Sequence, residues 1–131
     1  MTYLLDTLTL AELLRAAPSP FLVRRLAAVP QATRFASVIT ATRLLAAARH
    51  GHAPRTMQQV VRLIAAVRVL PFDLAAGQWC AKYGEQLPGG VTSDEAMIAA
   101  TAATRRHVLV TRTPVLFAGL AELRCENWLD G

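Results

Sequence analysis

The feature that most constrains this chain is the alternation of short apolar runs with longer segments of helical periodicity. Between the runs, apolar residues recur at spacings of three and four, which predicts helices. Alternating strands and helices are typical of an α/β domain with a parallel sheet. We therefore predict an α/β sandwich with helices on both faces of a mainly parallel sheet of four to five strands. The predicted strands are Thr2–Leu5, Arg34–Ile39, Val69–Phe72, His107–Thr111 and a last edge strand, Leu123–Trp128.

Polar residues mark several predicted helix starts. Thr40 is predicted to cap a helix that ends at Arg49, because a threonine hydroxyl can accept from the first turn. Asp73 is predicted to cap a helix through about Leu87, and Ser93 or Asp94 to cap one through about Arg106. A break is predicted over residues 51–54, with a proline in the first turn of the following helix.

Length and composition exclude several classes of protein. The 131 residues suffice for one domain spanning 1–131 with its own core. A hydrophobic content of 53% with 18% charged residues excludes a disordered chain. No apolar run approaches the roughly 20 residues that a membrane span needs. The start of the chain resembles no signal peptide, so we expect a cytoplasmic protein without membrane contact. The two cysteines, Cys80 and Cys125, are predicted to be buried thiols.

The formal charge of +5 comes almost entirely from arginine, since Lys82 is the only lysine. Arginine makes bidentate contacts with phosphate, which allows an RNA-facing surface. An alanine- and arginine-rich composition can equally reflect genome base bias, so charge alone decides nothing. Three histidines, His50, His52 and His107, lack metal-ligand spacing and are predicted at the surface.

Polar residues gather where the predicted strands end. Asp6, Thr40 and Thr111 each sit at the carboxyl end of a strand, and Glu95 lies at a helix start. In parallel sheets, sites form beyond the carboxyl ends of the strands. The sequence therefore predicts one shared site from these four residues.

Five segments form a pattern through their order and spacing: residues 3–7, 95–102 and 108–112, Phe117, and residues 123–129. Together they resemble the VapC-type PIN domain, the toxin half of bacterial type II toxin–antitoxin pairs. The resemblance implies a PIN-like α/β/α sandwich in the bacterial cytoplasm, a homodimer and a VapB-type antitoxin as partner. It also implies a ribonuclease site in which four acidic residues hold Mg²⁺ or Mn²⁺.

The first two family motifs are only partly present. The family usually opens with Asp-Thr-Asn, and here Asp6 is retained while Leu8 replaces the amide. The second motif resembles Ile-Thr-x-x-Glu-Leu, and residues 39–44 match it with Arg43 at the glutamate position. A metal ligand is therefore replaced by a guanidinium.

The last two motifs are also altered. The third resembles Asp-x-x-Ile-Ala, and Glu95 stands at the aspartate position, with Asp94 as the alternative after a one-residue slip. The fourth resembles Thr-Arg-Asn-x-x-Asp-Phe, and here Thr113 and Leu116 replace the polar pair. The site charge, about −4 in the family, becomes about −1 from Asp6, Glu95 and Arg43, which weakens the case for a bound Mg²⁺.

Two hypotheses about activity follow from these substitutions. In the first, ribonuclease activity is impaired or lost, no metal is bound, and Arg43 pairs with Asp6 or Glu95 and silences the site. In the second, Asp6 and Glu95 remain catalytic and, with Asp94, hold one Mg²⁺ or Mn²⁺. RNA binding without cleavage is a third possibility, with Arg112 and Thr111 as candidate RNA contacts. Structural roles are open too: Asp6 as a helix cap, Glu95 as a first-turn acid, and Arg43 and Arg112 as solvated side chains.

Overall fold

The computed structural model describes residues 1–51, 54–120 and 122–131. Its strands are β1 (Tyr3–Leu5), β2 (Arg34–Ser37), β3 (Arg68–Leu70), β4 (Val108–Val110) and β5 (Cys125–Glu126). They form one sheet in the order β3-β2-β1-β4-β5, and every neighbouring pair is parallel. The predicted α/β class and parallel sheet are confirmed, and β5 forms an edge as predicted.

Helices connect and flank these strands. They are α1 (Thr7–Glu12), α2 (Pro20–Ala28), α3 (Val38–His50), α4 (Pro54–Ala65), α5 (Leu74–Tyr83) and α6 (Ser93–Thr104). Short 3₁₀ turns cover Gln31–Thr33, Gly84–Gln86 and Pro114–Phe117. The predicted break after α3 includes His52 and Ala53, which lie outside the described residues. None of the described helices combines the length and hydropathy that a bilayer crossing requires.

The core has two layers because successive strand residues point to opposite faces of the sheet. Leu4 packs on one face against residues of α5 and α6, including Trp79 and Ile98. Leu5 packs on the other face, where Leu10, Leu22, Leu44, Val60 and Trp128 are also buried. The helices thus cover both faces, and the carboxyl and amino edges of the sheet stay open for polar side chains.

Two predicted helix caps are wrong by a few residues. Ser37, not Thr40, caps α3, because the Ser37 hydroxyl accepts from the Ile39 amide at 3.0 Å and so ends β2 earlier. Thr92, not Ser93 or Asp94, caps α6. The predicted cap at Asp73 is confirmed, with its carboxylate accepting from the Ala76 amide at 3.0 Å. The helix after it is shorter than predicted and ends at Tyr83.

The single-residue predictions have mixed outcomes. His50 is exposed as predicted, whereas His107 is half-buried with its ring stacked on Phe35 at a centroid distance of 4.4 Å. The imidazole of His107 is therefore partly buried by apolar contact at the start of β4 despite its polarity. Cys80 and Cys125 are both free thiols, but each is only half-buried.

Candidate functional site

A cavity of about 300 Å³ opens at the carboxyl edge of the sheet, where β1 and β4 end and α3 and α6 begin. It contains most of the residues that the sequence assigned to a site, although they lie far apart along the chain. Leu116 does not line it. The lining residues are Asp6, Thr7, Leu8, Arg43, Thr92, Asp94, Glu95, Ile98, Thr111, Arg112 and Thr113.

Asp6 follows β1 directly and caps α1. Its carboxylate accepts a hydrogen bond from the Thr9 amide at 2.9 Å, and its own amide donates to the carbonyl of Val110 at 3.0 Å. Burial raises the pKa of the Asp6 carboxyl, hydrogen bonds from Thr9 and Thr111 oppose the shift, and the nearby Glu95 carboxylate adds to it. Asp6 is therefore both a helix cap and a site residue, and the fold disfavours its charged form.

Glu95 lies in the first turn of α6 and forms a capping box with Thr92. The Glu95 carboxylate accepts from the Thr92 hydroxyl at 2.9 Å and from the Thr92 amide at 3.3 Å. In return, the Glu95 amide donates to the Thr92 hydroxyl at 3.1 Å. One carboxylate oxygen is thus committed to the helix end. The pattern Thr-x-x-Glu at 92–95 is a known signature of this cap and was available in the sequence.

Arg43 projects from α3 and pairs with Asp94, not with Asp6 or Glu95. Its Nε donates to one Asp94 oxygen and its Nη2 donates to the other at 3.2 Å. The predicted partner was therefore wrong, because Asp94 and not Glu95 is turned toward α3. The pair is not buried either, since 59% of the Arg43 side chain and 27% of the Asp94 side chain are exposed. It lies at the rim of the cavity, so Arg43 does not fill the interior.

Arg112, a candidate RNA contact, follows β4 and lies near a buried acid that the sequence did not single out. Its Nη2 is 3.6 Å from the carboxylate of Glu12, whose side chain is only 6% exposed. Glu12 also accepts from Arg15 at 3.2 Å and from the Ser19 amide at 3.0 Å. Arg112 is 100 residues away from Glu12, so no local pattern could have indicated this pair.

Four threonines, Thr7, Thr92, Thr111 and Thr113, are among the residues that line the cavity. The hydroxyls of Thr7 and Thr40 are 2.9 Å apart, and those of Thr111 and Thr113 are 3.5 Å apart. Thr40 does not line the cavity itself; it is buried behind Thr7, which does. Leu8 is 65% exposed at the cavity mouth.

Two of the substituted positions differ in what they touch. Thr113 lines the cavity, whereas Leu116 packs against the hydrophobic layer of α5 and α6. An acidic side chain at 113 would reach the cavity, whereas one at 116 would replace an apolar contact.

The residues present do not fit a resident Mg²⁺ or Mn²⁺. Such ions need several oxygen ligands in near-octahedral geometry. Asp6, Asp94 and Glu95 each accept hydrogen bonds from other groups of the chain, and Asp94 is neutralised by Arg43. Within residues 1–51, 54–120 and 122–131, no group of three or more acidic, histidine or cysteine side chains is arranged to hold a metal ion. The three carboxylates that line the cavity are therefore engaged by the chain itself.

No protein-family model and no curated protein matches this sequence. Solved structures do match it. DNA-bound VapBC from Salmonella typhimurium aligns with a TM-score of 0.83 and 27% identity over 98% of each chain. FitAB bound to an IR36 DNA fragment aligns with a TM-score of 0.82 and 24% identity, over 99% of this chain and 97% of the other.

VapBC-1 from nontypeable Haemophilus influenzae aligns with a TM-score of 0.76 and 23% identity over 98% of each chain. The likeness therefore covers every element of the sheet and both helical layers. It agrees with the resemblance that the sequence motifs carry at both ends of the chain. The chain accordingly has the PIN-like fold of these VapC-type structures.

Proposed function

We propose that this protein is a toxin-family PIN domain of 131 residues that works by binding and has impaired or lost Mg²⁺-dependent ribonuclease activity. One observation carries the proposal: each acid of the cavity is occupied within the chain. Asp6 caps α1, Glu95 caps α6, and Asp94 pairs with Arg43. Without a free acidic cluster, the cavity lacks the ligands that would polarise a phosphodiester through a metal ion.

The chain's own charges support reduced metal affinity. Three carboxylates and two guanidiniums line the cavity, which gives a net charge of −1. Burial already disfavours the charged form of Asp6. A divalent ion would have to displace the Arg43–Asp94 pair and part of the capping box before it met three oxygens. These costs favour an empty site at millimolar Mg²⁺.

The expected partner is a VapB-type antitoxin in the bacterial cytoplasm, and a homodimer is the expected assembly. VapBC and FitAB are protein pairs that were solved bound to DNA, and the present chain matches one chain of each over nearly its whole length. Exposed apolar side chains on α2, namely Phe21 and Val23, are 45% and 47% exposed and offer contact area. Binding surfaces can therefore persist where the acidic site has changed.

A working nuclease is the alternative, and the proximity of Asp6 and Glu95 favours it. The charge of Glu95 raises the pKa of Asp6, so the two carboxyls lie close enough to interact. If the Arg43–Asp94 pair opened, Asp94 could join them around one Mg²⁺ or Mn²⁺. In this alternative, Thr111 and Arg112 at the cavity would contact the RNA.

Two measurements separate these functions. The first is cleavage of a fluorescent single-stranded RNA with Mn²⁺, with Mn²⁺ plus EDTA, and with Asp6→Asn as the control. We expect no EDTA-sensitive cleavage above the control, whereas cleavage that needs both Mn²⁺ and Asp6 would establish the alternative. The second is co-expression with a candidate VapB-type antitoxin. A stable complex of the two, together with a free chain that does not cut RNA, supports the binding role, and a chain that remains alone and cuts RNA contradicts it.

A further inference from the structure

A second cavity lies at the opposite, amino edge of the sheet. It has a volume of about 350 Å³ and is lined by Met1, Thr2, Arg106, His107, Val108, Glu122 and Arg124. Three of these residues immediately precede three adjacent parallel strands: Thr2 precedes β1, His107 precedes β4 and Arg124 precedes β5. The strand ladder fixes their spacing, since the Val108 amide donates to Thr2 and the Leu109 amide donates to Arg124. The wall of this cavity is therefore built by the sheet itself.

Arg106 has a backbone conformation that an arginine rarely adopts. It is the only described non-glycine residue with positive φ, at 58°. It follows the last turn of α6, where the His107 amide donates to Ala102 at 2.9 Å and the Arg106 amide donates to Ala103 at 3.3 Å. This is the helix ending for which glycine is the usual residue. The β-carbon of Arg106 makes this conformation energetically unfavourable, and backbone strain of this kind clusters at functional positions.

The two arginine side chains at this cavity form no ion pair with any described residue. Across the described ranges, Arg106 and Arg124 take part in none of the ion pairs, and both are exposed. Their neighbour Arg105, by contrast, pairs with Asp73 at 3.2 Å. Glu122 is the one acidic side chain of the lining, so the charged side chains of the lining carry a surplus of one positive charge.

His107 adds a neutral polar atom to the wall. Its Nδ1 is hydrogen-bonded to the Thr2 hydroxyl, and its ring is held flat against Phe35. The Nε2 atom has no partner among the described residues, so it is the ring nitrogen left for a ligand. Burial, and next the charge of Arg105, lower the pKa of the imidazole. The ring is therefore neutral at physiological pH and contributes a hydrogen bond without adding charge.

We propose that the cavity between Arg106, Arg124 and His107 is a phosphate-binding site, distinct from the acidic cavity at the carboxyl edge. Guanidinium groups pair with phosphate oxygens in bidentate fashion, which matches two unpaired arginines beside one cavity. The backbone amides of 106 and 107 are used by the helix end, so the side chains alone hold the ligand. Free phosphate and a nucleic-acid phosphate share this chemistry. The site does not depend on the proposed function.

The test is an NMR titration of the full chain with three probes: inorganic phosphate, adenosine monophosphate and a five-nucleotide oligouridine. Saturable shifts of the amides of residues 106, 107 and 124 are expected. If phosphate and the monophosphate suffice, the ligand is a small molecule, and if only the oligonucleotide saturates, it is a nucleic-acid backbone. Absence of saturation with all three probes overturns the proposal.

Variants decide whether these side chains are responsible. Arg106→Gly and Arg124→Gln should each weaken binding about tenfold, since each removes a charge-assisted hydrogen bond. Glu122→Gln should strengthen it, because the one opposing charge is lost. Arg49→Gln, at an exposed arginine of α3 outside both cavities, should change nothing. Equal weakening by Arg49→Gln would show a non-specific charge effect and overturn the site. Arg106→Gly relieves backbone strain, so loss of folding does not confound that variant.

Discussion

The two edges of the sheet differ in how their charges are satisfied. At the carboxyl edge, Asp6 and Glu95 cap helices, and Asp94 and Arg43 neutralise each other. At the amino edge, Arg106 and Arg124 remain unpaired across the described ranges, and one of them is held in a strained conformation. When the charged side chains of an edge are paired within the chain, they stabilise the fold but are no longer free to bind a metal ion or another ligand. An edge with unsatisfied charges keeps the capacity to bind.

This contrast bears on where function resides in the molecule. The VapC-type fold places its predicted chemistry at the carboxyl edge, as parallel sheets generally do. In this chain, hydrogen bonds and an ion pair occupy the three acids that line the cavity there.

Replacing Arg43 and adding an acid at the carboxyl-edge cavity should create a metal site. In Arg43→Glu/Thr113→Asp, the cavity charge falls from −1 to −4, and Asp94 loses its internal partner. We expect saturable binding of roughly one Mn²⁺ per chain, because clustered carboxylates repel one another until a cation joins them. Thr113 is chosen because it lines the cavity, whereas Leu116→Asp would place a charge against the hydrophobic layer.

Calorimetric titration with Mn²⁺ measures this, and RNA cleavage by the same variant reports whether chemistry returns with the metal. The matched control is Arg43→Gln/Thr113→Asn, which has similar shape but adds no acid. If the acidic variant folds yet takes up no more Mn²⁺ than the control, charge alone does not explain the altered site.

Substitutions at Asp6 distinguish the stability contributed by the helix cap from the effect of the carboxylate charge. Asp6→Ala should lower the free energy of unfolding by about 1 kcal/mol, because α1 loses its cap. Asp6→Asn keeps a good cap and removes a carboxylate whose pKa the fold raises from its ordinary value of 3.8. A raised pKa means that the folded state binds the proton more tightly. Stability from this group is therefore lost as the pH rises from 3.8 through the raised pKa.

Asp6→Asn should thus be more stable than the wild type at neutral pH and lose that advantage under acid conditions. Urea denaturation of the three proteins at several pH values measures the difference. An Asn variant as unstable as the Ala variant at neutral pH would mean that the Asp6 charge itself stabilises the fold.

How much of this the sequence could predict depends on the range of each interaction. The strands and helices follow from apolar spacing, and the position of Asp6 follows from the end of β1. The caps at Ser37 and Thr92 were missed because neighbouring hydroxyl or acidic residues compete for the same role. The choice between Asp94 and Glu95 was missed for a related reason, since successive helix residues point about 100° apart and a one-residue difference decides the partner.

Contacts between distant segments were beyond local patterns. Arg112 meets Glu12 only because β4 and α1 end at the same edge of the sheet. The strain at Arg106 is similarly invisible in the sequence, because it depends on where α6 ends. Local chemistry therefore predicted the candidate site, and the tertiary fold decided which of its charges are satisfied.

At the amino edge, Arg106→Gly should stabilise the protein. A non-glycine residue in the left-handed region costs about 1 kcal/mol, and glycine adopts that conformation freely. The melting temperature should rise by about 3–5 °C for a domain of this size. Arg106→Lys keeps a β-carbon in the strained position and should show no such gain. An equal rise in both variants would attribute the effect to charge and not to φ.

The smallest effect on stability is expected for the Arg43–Asp94 pair, even though this pair neutralises an acid of the carboxyl-edge cavity. Exposed ion pairs contribute little to stability because water screens them and both side chains lose rotamer freedom. Arg43→Met and Asp94→Asn should each change the melting temperature only slightly. In a double-mutant cycle the coupling should fall further when salt is added. Asp94→Asn alone also removes an acid from the first turn of α6, and the cycle cancels that contribution. A coupling as large as the loss of the Asp6 cap would show that this pair holds the edge together. In that case, metal could not enter the wild-type cavity without loosening the fold.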